Sequence, residues 1–205
     1  MRGLIIDNKL CRSIALLCVI ASLSGCAQTA IRDTFDLGMP EHATKNLDIQ
    51  KKNMQILVPA PTAVKALDGQ DIEIKSADDS ISYLKGAQWG DRLPNLVQAR
   101  LIQAFENSGL LGGVGRPGEG LAINYQILSD IRSFNIVLMT REQRLACVEI
   151  GVKIMDDKTG NIIASRVFRS QTVVSGLNNG QYALALDNAF KVATKDIVDW
   201  VLAKI

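Results

Sequence analysis

Within the stretch from Leu145 to Met155, Val148, Ile150, Val152 and Ile154 alternate strictly with Glu149, Gly151 and Lys153. A period of two sends successive side chains to opposite faces of a strand, so this run is an extended segment with one buried face. Asp156-Asp157-Lys158-Thr159-Gly160-Asn161 then forms a turn cluster, and Ile162 to Val174 reads as the returning strand of a hairpin. Upstream, Leu121 to Val137 is also long and extended, with Leu121, Ile123, Tyr125 and Ile127 alternating with Ala122, Asn124 and Gln126. Three long strands in succession constrain the fold strongly: they predict an antiparallel sheet, and its apolar face must be covered. Asp156 and Asp157 read as turn acids, because the remaining ligands of a calcium loop are missing.

Two helical segments are available as the cover. Leu93, Leu96, Val97, Leu101, Ala104 and Phe105 recur at spacings of three and four and make one apolar stripe. Asp91 is the expected N-cap of this helix, Pro94 suits its first turn, and Ser108-Gly109 is the expected stop. A second stripe runs through Tyr182, Leu186, Ala189, Phe190, Ala193, Ile197, Trp200 and Val201, with Asn178-Asn179-Gly180 before it as cap and turn. Shorter strands are expected at Thr34–Leu37, Gln55–Val58 (stopped by Pro59 and Pro61), Asp71–Lys75 and Ser80–Lys85. Met39 to Lys52 reads as a loop. Gly112 to Gly120 contains a glycine spacing that fits a dinucleotide-binding turn. Its context is wrong, since the order here is helix, glycines, strand, and Pro117 would disturb a following helix; a flexible connection is the expectation. The order strands, helix, strands, helix predicts an α+β fold, a mainly antiparallel sheet covered on one face by two helices in a single domain.

The first 26 residues read as an address. Arg2, Lys9 and Arg12 precede an apolar run from Ile14 to Leu23. That run is too short to span a bilayer as a helix, and it has the length of a signal-peptide core. It ends in Leu23-Ser24-Gly25-Cys26, which resembles the lipobox of bacterial lipoproteins. The resemblance implies cleavage before Cys26 and attachment of a diacylglyceryl group and an N-acyl chain such as palmitate. The expected divisions are a lipoprotein signal peptide at 1–25, a lipidated tether at 26–33 and a folded domain at 34–205. Ala27 stands where an aspartate would favour inner-membrane retention in enterobacteria. The expected place is therefore the outer membrane, lipid-anchored and facing the periplasm, with inner-membrane anchoring as the variant.

Composition excludes several functions. The chain has 23 basic and 21 acidic residues, and removing the signal leaves 20 of each, so nothing favours nucleic acid. There is one histidine, His42, in an expected loop. No Gly-x-Ser-x-Gly elbow and no paired-histidine metal motif occurs, and the acid pairs Asp78-Asp79 and Asp156-Asp157 fall in turn-like segments. The reading is of a protein with no catalytic residues, no metal and no cofactor beyond its own lipid. Of the four cysteines, Cys11 and Cys18 leave with the signal and Cys26 carries lipid. Cys147 is then a single thiol, expected as a small buried strand residue.

One stretch is more specific. Gly86-Ala87-Gln88-Trp89-Gly90-Asp91-Arg92-Leu93-Pro94-Asn95-Leu96-Val97, continuing to Leu101, Phe105 and Ser108-Gly109, resembles the ABC-type transport auxiliary lipoproteins, a family that includes the third component of the paraquat-inducible system. The long strand ending at Phe134, the hairpin from Asp156 to Phe168 and the final helix with Trp200 agree in order. Gly90 departs from the family's common alanine. The resemblance implies a non-catalytic lipoprotein that partners an MCE-domain protein, a permease and an ATPase in moving lipid between inner and outer membranes, with self-assembly into a ring as a further expectation. Trp89, Asp91, Leu93, Pro94 and Trp200 carry the motif, as packing or as partner contacts; packing is the reading for Trp89, its indole N–H bonded locally, and for Trp200, under the sheet. The alternative is a structural or assembly lipoprotein of the outer membrane tied to no transporter.

Overall fold

A computed structural model describes residues 31–39, 51–76, 78–140 and 143–205. The chain divides into two units, Met1–Ile31 and Arg32–Ile205, and the fold is that of the second. Its elements in order are β1 (Asp33–Phe35), β2 (Lys51–Leu57), β3 (Thr62–Ala63), β4 (Glu73–Lys75), β5 (Ile81–Tyr83), β6 (Ala87–Trp89), α1 (Leu93–Ser108), β7 (Leu111–Gly115), β8 (Tyr125–Leu138), β9 (Arg144–Asp156), β10 (Ile162–Val173) and α2 (Asn179–Lys204).

The three long strands are the frame. β8 pairs antiparallel with β9, and β9 with β10. The other flank of β8 is covered piecewise. β2 meets it at Tyr125–Gln126, β3 at Asp130–Ile131 and β4 at Asn135–Val137, all in parallel. Residues 55–75 thus behave as one long strand interrupted twice, and Pro59 and Pro61, which cannot donate to a ladder, mark the first gap. β5 returns antiparallel on β4, while β1 and β6 form a separate parallel pair. The fold is α+β: a mixed sheet with an antiparallel centre and two helices.

The alternation works as the sequence implies. Ile127, Ile131, Phe134, Val148, Ile150, Val152, Ile154 and Phe168 are buried on one face. Against them lie Leu93, Val97, Leu101 and Phe105 of α1 and Leu186, Phe190, Ala193, Ile197 and Val201 of α2. Each fully buried aliphatic or aromatic side chain contributes about 1.5–3 kcal/mol. Asn178 caps α2 through a reciprocal pair: its Oδ1 accepts from the Gln181 amide at 2.9 Å, and Gln181 Oε1 accepts from the Asn178 amide at 3.3 Å. Gly109 ends α1 at φ 65°.

Three expectations need correction or completion. The first half of the glycine-rich segment is not a flexible connection: Leu111–Gly115 is β7, paired in parallel with β2. Its glycine serves close approach, since a Cβ on Gly112 would lie 2.1 Å from the Lys52 carbonyl oxygen. Asp91 is not the N-cap of α1. Arg92 holds that position with no side-chain cap. The expected 39–52 loop lies mostly outside the described residues, and its last two lysines open β2.

Candidate functional site

The motif segment crosses from β6 into α1 and is held by main-chain bonds. The Trp89 amide donates to the Gln70 carbonyl at 2.7 Å, the Gly90 amide to Phe35 at 2.7 Å and the Leu93 amide to Gly69 at 2.8 Å. These bonds hold the crossing from two sides, the Gly69–Gln70 segment and the end of β1. Trp89 is wholly buried. Its ring meets Phe134 edge-on at 5.7 Å, and Phe134 meets Phe190 at 5.7 Å, so β6, β8 and α2 share one aromatic column. The indole Nε1 has no hydrogen-bond partner, contrary to the local bond expected for it. A wholly buried ring presents no surface to a partner protein.

The Asp91 carboxylate is spent locally. Oδ1 accepts from the Arg92 amide at 2.6 Å and Oδ2 from Asn95 Nδ2 at 3.0 Å. The Asn95 bond first, then the Arg92 amide, hold its carboxyl below the usual carboxylate range. Leu93 and Pro94 are both buried in the first turn of α1. Gly90 has room for more: a Cβ there would lie 3.5 Å from the Phe35 carbonyl oxygen, an ordinary contact. Trp200 is far along α2, half-buried, with its ring edge-on to Phe168 at 5.5 Å. The Arg166 guanidinium covers the same Phe168 ring at 5.0 Å.

A feature that sequence reasoning missed lies beside the motif. After β1 the chain runs as a strap, residues 36–38, between the two helices. Arg100 of α1 donates from Nε to the Leu37 carbonyl and from a terminal nitrogen to Asp36 Oδ2 at 2.6 Å. From α2, Asp187 Oδ1 accepts from the Gly38 amide at 2.7 Å, and its other oxygen meets Lys191 Nζ at 2.8 Å. Leu37 and Asp187 are buried. The only sequence signal was the acid-base spacing of Asp187 and Lys191 on one helix, which ordinarily marks a solvated face.

Across its middle the other face of the sheet is polar. Arg132 Nε bonds Asp130 at 2.6 Å, and Arg169 bonds both oxygens of Glu149 at 2.7 and 3.2 Å. Arg132 lies over Gly151, where a Cβ would come 2.5 Å from Asp130 Oδ1. Cys147 is on this face and half-buried, rather than in the core. Burial pushes its thiol up from the ordinary value, which disfavours the nucleophilic thiolate. Among the described residues no group of three or more His, Cys, Asp or Glu side chains could hold a metal ion, and no helix is long and apolar enough to cross a membrane. Leu23, Ser24, Gly25, Cys26 and His42 lie outside the described residues.

Comparison with known proteins places this arrangement. The chain is 30% identical over 194 residues to protein bll6063 of Bradyrhizobium diazoefficiens, a match that covers 93% of this chain and 50% of that one. The chain therefore spans about half the length of the curated relative it matches. In structure it resembles protein XCC0632 of Xanthomonas campestris with a TM-score of 0.75 at 20% identity, over 83% of this chain and 95% of the other. A second crystal structure aligns with a TM-score of 0.65 at 13% identity, over 83% and 99% of the two chains. At these identities the likeness establishes the fold. The sequence pattern that describes the ABC-type transport auxiliary lipoprotein component matches residues 35–198, from the end of β1 through most of α2, and the chain belongs to that family.

Proposed function

We propose that this protein is a lipid-anchored, periplasm-facing and non-catalytic partner of an MCE-type ABC transport system that moves lipid between the inner and outer membranes. The family match over residues 35–198 supports the transport role. The Leu23-Ser24-Gly25-Cys26 sequence supports a diacylglyceryl and N-acyl anchor on Cys26, and Ala27 supports the outer membrane as its site. No cofactor is called for beyond that lipid. Two acyl attachments make a durable anchor where one would not. The domain would then work by docking: its partners are the MCE-domain protein, the permease and the ATPase, with self-assembly as a further element of the complex.

The test is purification of the C-terminally tagged, membrane-anchored protein in mild detergent, with mass spectrometry of what comes with it. Recovery of an MCE protein with its permease and ATPase is the expected result. Recovery of outer-membrane assembly factors alone, with the transporter expressed and cross-linker present, overturns it. A Cys26→Ser variant is expected to leave the membrane fraction.

A further inference from the structure

We infer that the end of the domain from which the tether leaves rests on the lipid surface through an apolar rim. The inference deepens the lipid-anchor reading of Cys26 and rests on it. The register of the sheet defines the rim. Ile81 pairs with Lys75, Lys75 with Val137, Val137 with Leu145 and Leu145 with Val173, so five strands end in one cross-strand row. Four members of the row are apolar. Ile81 is 51% exposed and Val173 is 60% exposed, although residues of this type usually turn inward. Two more apolar side chains extend the row. Met139, in the turn after β8, is 53% exposed, and Leu177, in the loop before α2, is 69% exposed. The one cation of the row, Lys75, is neutralised by Asp79 at 2.8 Å.

The tether leaves at this end. Five residues, 174–178, carry the chain from β10 to α2. There Asn179 Nδ2 donates to Asp33 Oδ2 at 3.2 Å and to the Lys85 carbonyl at 3.3 Å, fixing the start of β1 at the start of α2. Six residues lie between Cys26 and Asp33, a span of seven Cα–Cα steps, so a lipidated cysteine would lie within about 25 Å of Asp33 even with the chain fully extended. An anchor that short holds the rim at high effective concentration over the bilayer. The far end of the sheet also exposes apolar side chains, Ile162 at 47% and Ile163 at 48%, but they stand beside a charged turn. There the β9–β10 turn carries Asp156, Asp157 and Lys158, and Asp156 is occupied by Thr159.

The shape of the patch selects the occupant. Five strands at their normal spacing make a row about 19 Å long and one or two side chains deep, roughly 200 Å². A stable protein interface needs about 800 Å² from each partner, so the rim is too narrow to hold a second copy by itself. A lipid surface asks only that apolar side chains project at the rim, and with the lysine neutralised the contact needs no anionic lipid.

The experiment uses the full-length lipidated protein in vesicles of phosphatidylethanolamine with and without phosphatidylglycerol. In a Cys147→Ser background, a polarity-sensitive fluorophore is placed by Val173→Cys at the rim or by Lys158→Cys at the opposite turn. The expected result is a blue-shifted emission at 173 with several-fold stronger quenching by nitroxide-bearing lipid than at 158, insensitive to salt and to phosphatidylglycerol. A protein that floats with the vesicles while position 173 stays in water overturns the rim and spares the anchor. A protein that does not float, and shows no acyl mass on Cys26, overturns both. A blue shift that grows with protein concentration but is not quenched by nitroxide lipid overturns the lipid surface and assigns the rim to a second copy.

Discussion

At the scale of single residues, the informative side chains are those whose partners differ from their chemistry. Trp89 is buried with its N–H unpartnered, so the indole contributes ring area and no hydrogen bond. Trp89→Phe keeps most of the edge-on contact with Phe134 and removes the orphan donor; a loss of about 1–2 kcal/mol is expected in denaturant melts. Trp89→Ala empties the column and is expected to cost about 3–5 kcal/mol. Equal losses would mean that the N–H has a partner after all. Asp156 tests the turn. Its carboxyl is held below the usual range by the Thr159 side chain first and the Thr159 amide second. A depressed folded-state value means that the bond's stabilisation is present above the unfolded pKa of about 3.9 and is lost as pH falls through the folded one. Thermal melts should therefore show wild type more stable than Asp156→Asn at neutral pH, with the gap closing in acid. The sequence identified Asp156 as a turn residue. It also singled out Asp91, but misjudged the position by one, because a carboxylate one residue before the cap can bind Arg92 and Asn95 instead of the helix amides.

At the scale of elements, legibility followed hydropathy. β8, β9 and β10 are long and alternate, and α1 and α2 have wide stripes, so their existence and faces could be read from the residues alone. β7 could not. Its Leu-Gly-Gly-Val-Gly sequence has almost no periodic signal, and glycine in it reads as freedom when its use is proximity. Gly112→Ala is expected to push β7 away from β2, since the new Cβ meets main chain rather than a movable side chain. The expected cost is about 1–3 kcal/mol by equilibrium unfolding. Gly90→Ala is the contrasting case. With ordinary contacts around the new methyl, and one flexible residue fewer in the unfolded chain, it is expected to be neutral or to stabilise by up to about 1 kcal/mol. The parallel docking of β2, β3 and β4 along β8 was also illegible, because each short strand is placed by the residues of another element and not by its own pattern.

At the scale of the whole molecule, the strap joins parts that are far apart in sequence. Gly38 and Asp187 are 149 residues apart, and no local pattern announces their bond. Asp187→Ala leaves the half-buried Gly38 amide without its acceptor, at an expected cost of about 1 kcal/mol, the low end for an orphaned donor. Faster exchange of the Gly38 amide, measured by hydrogen exchange, should accompany that loss. The direction of β1 has a mechanical consequence. Its three residues lie parallel to β6 in consecutive register from Asp33 to Phe35, and the strap beyond them is gripped by both helices. A pull at Arg32 along the strand therefore loads the β1–β6 bonds together, in shear, instead of peeling them one at a time. Under such force the lifetime of the fold is set by its unfolding rate, and β1 with its strap is the part that meets the force first.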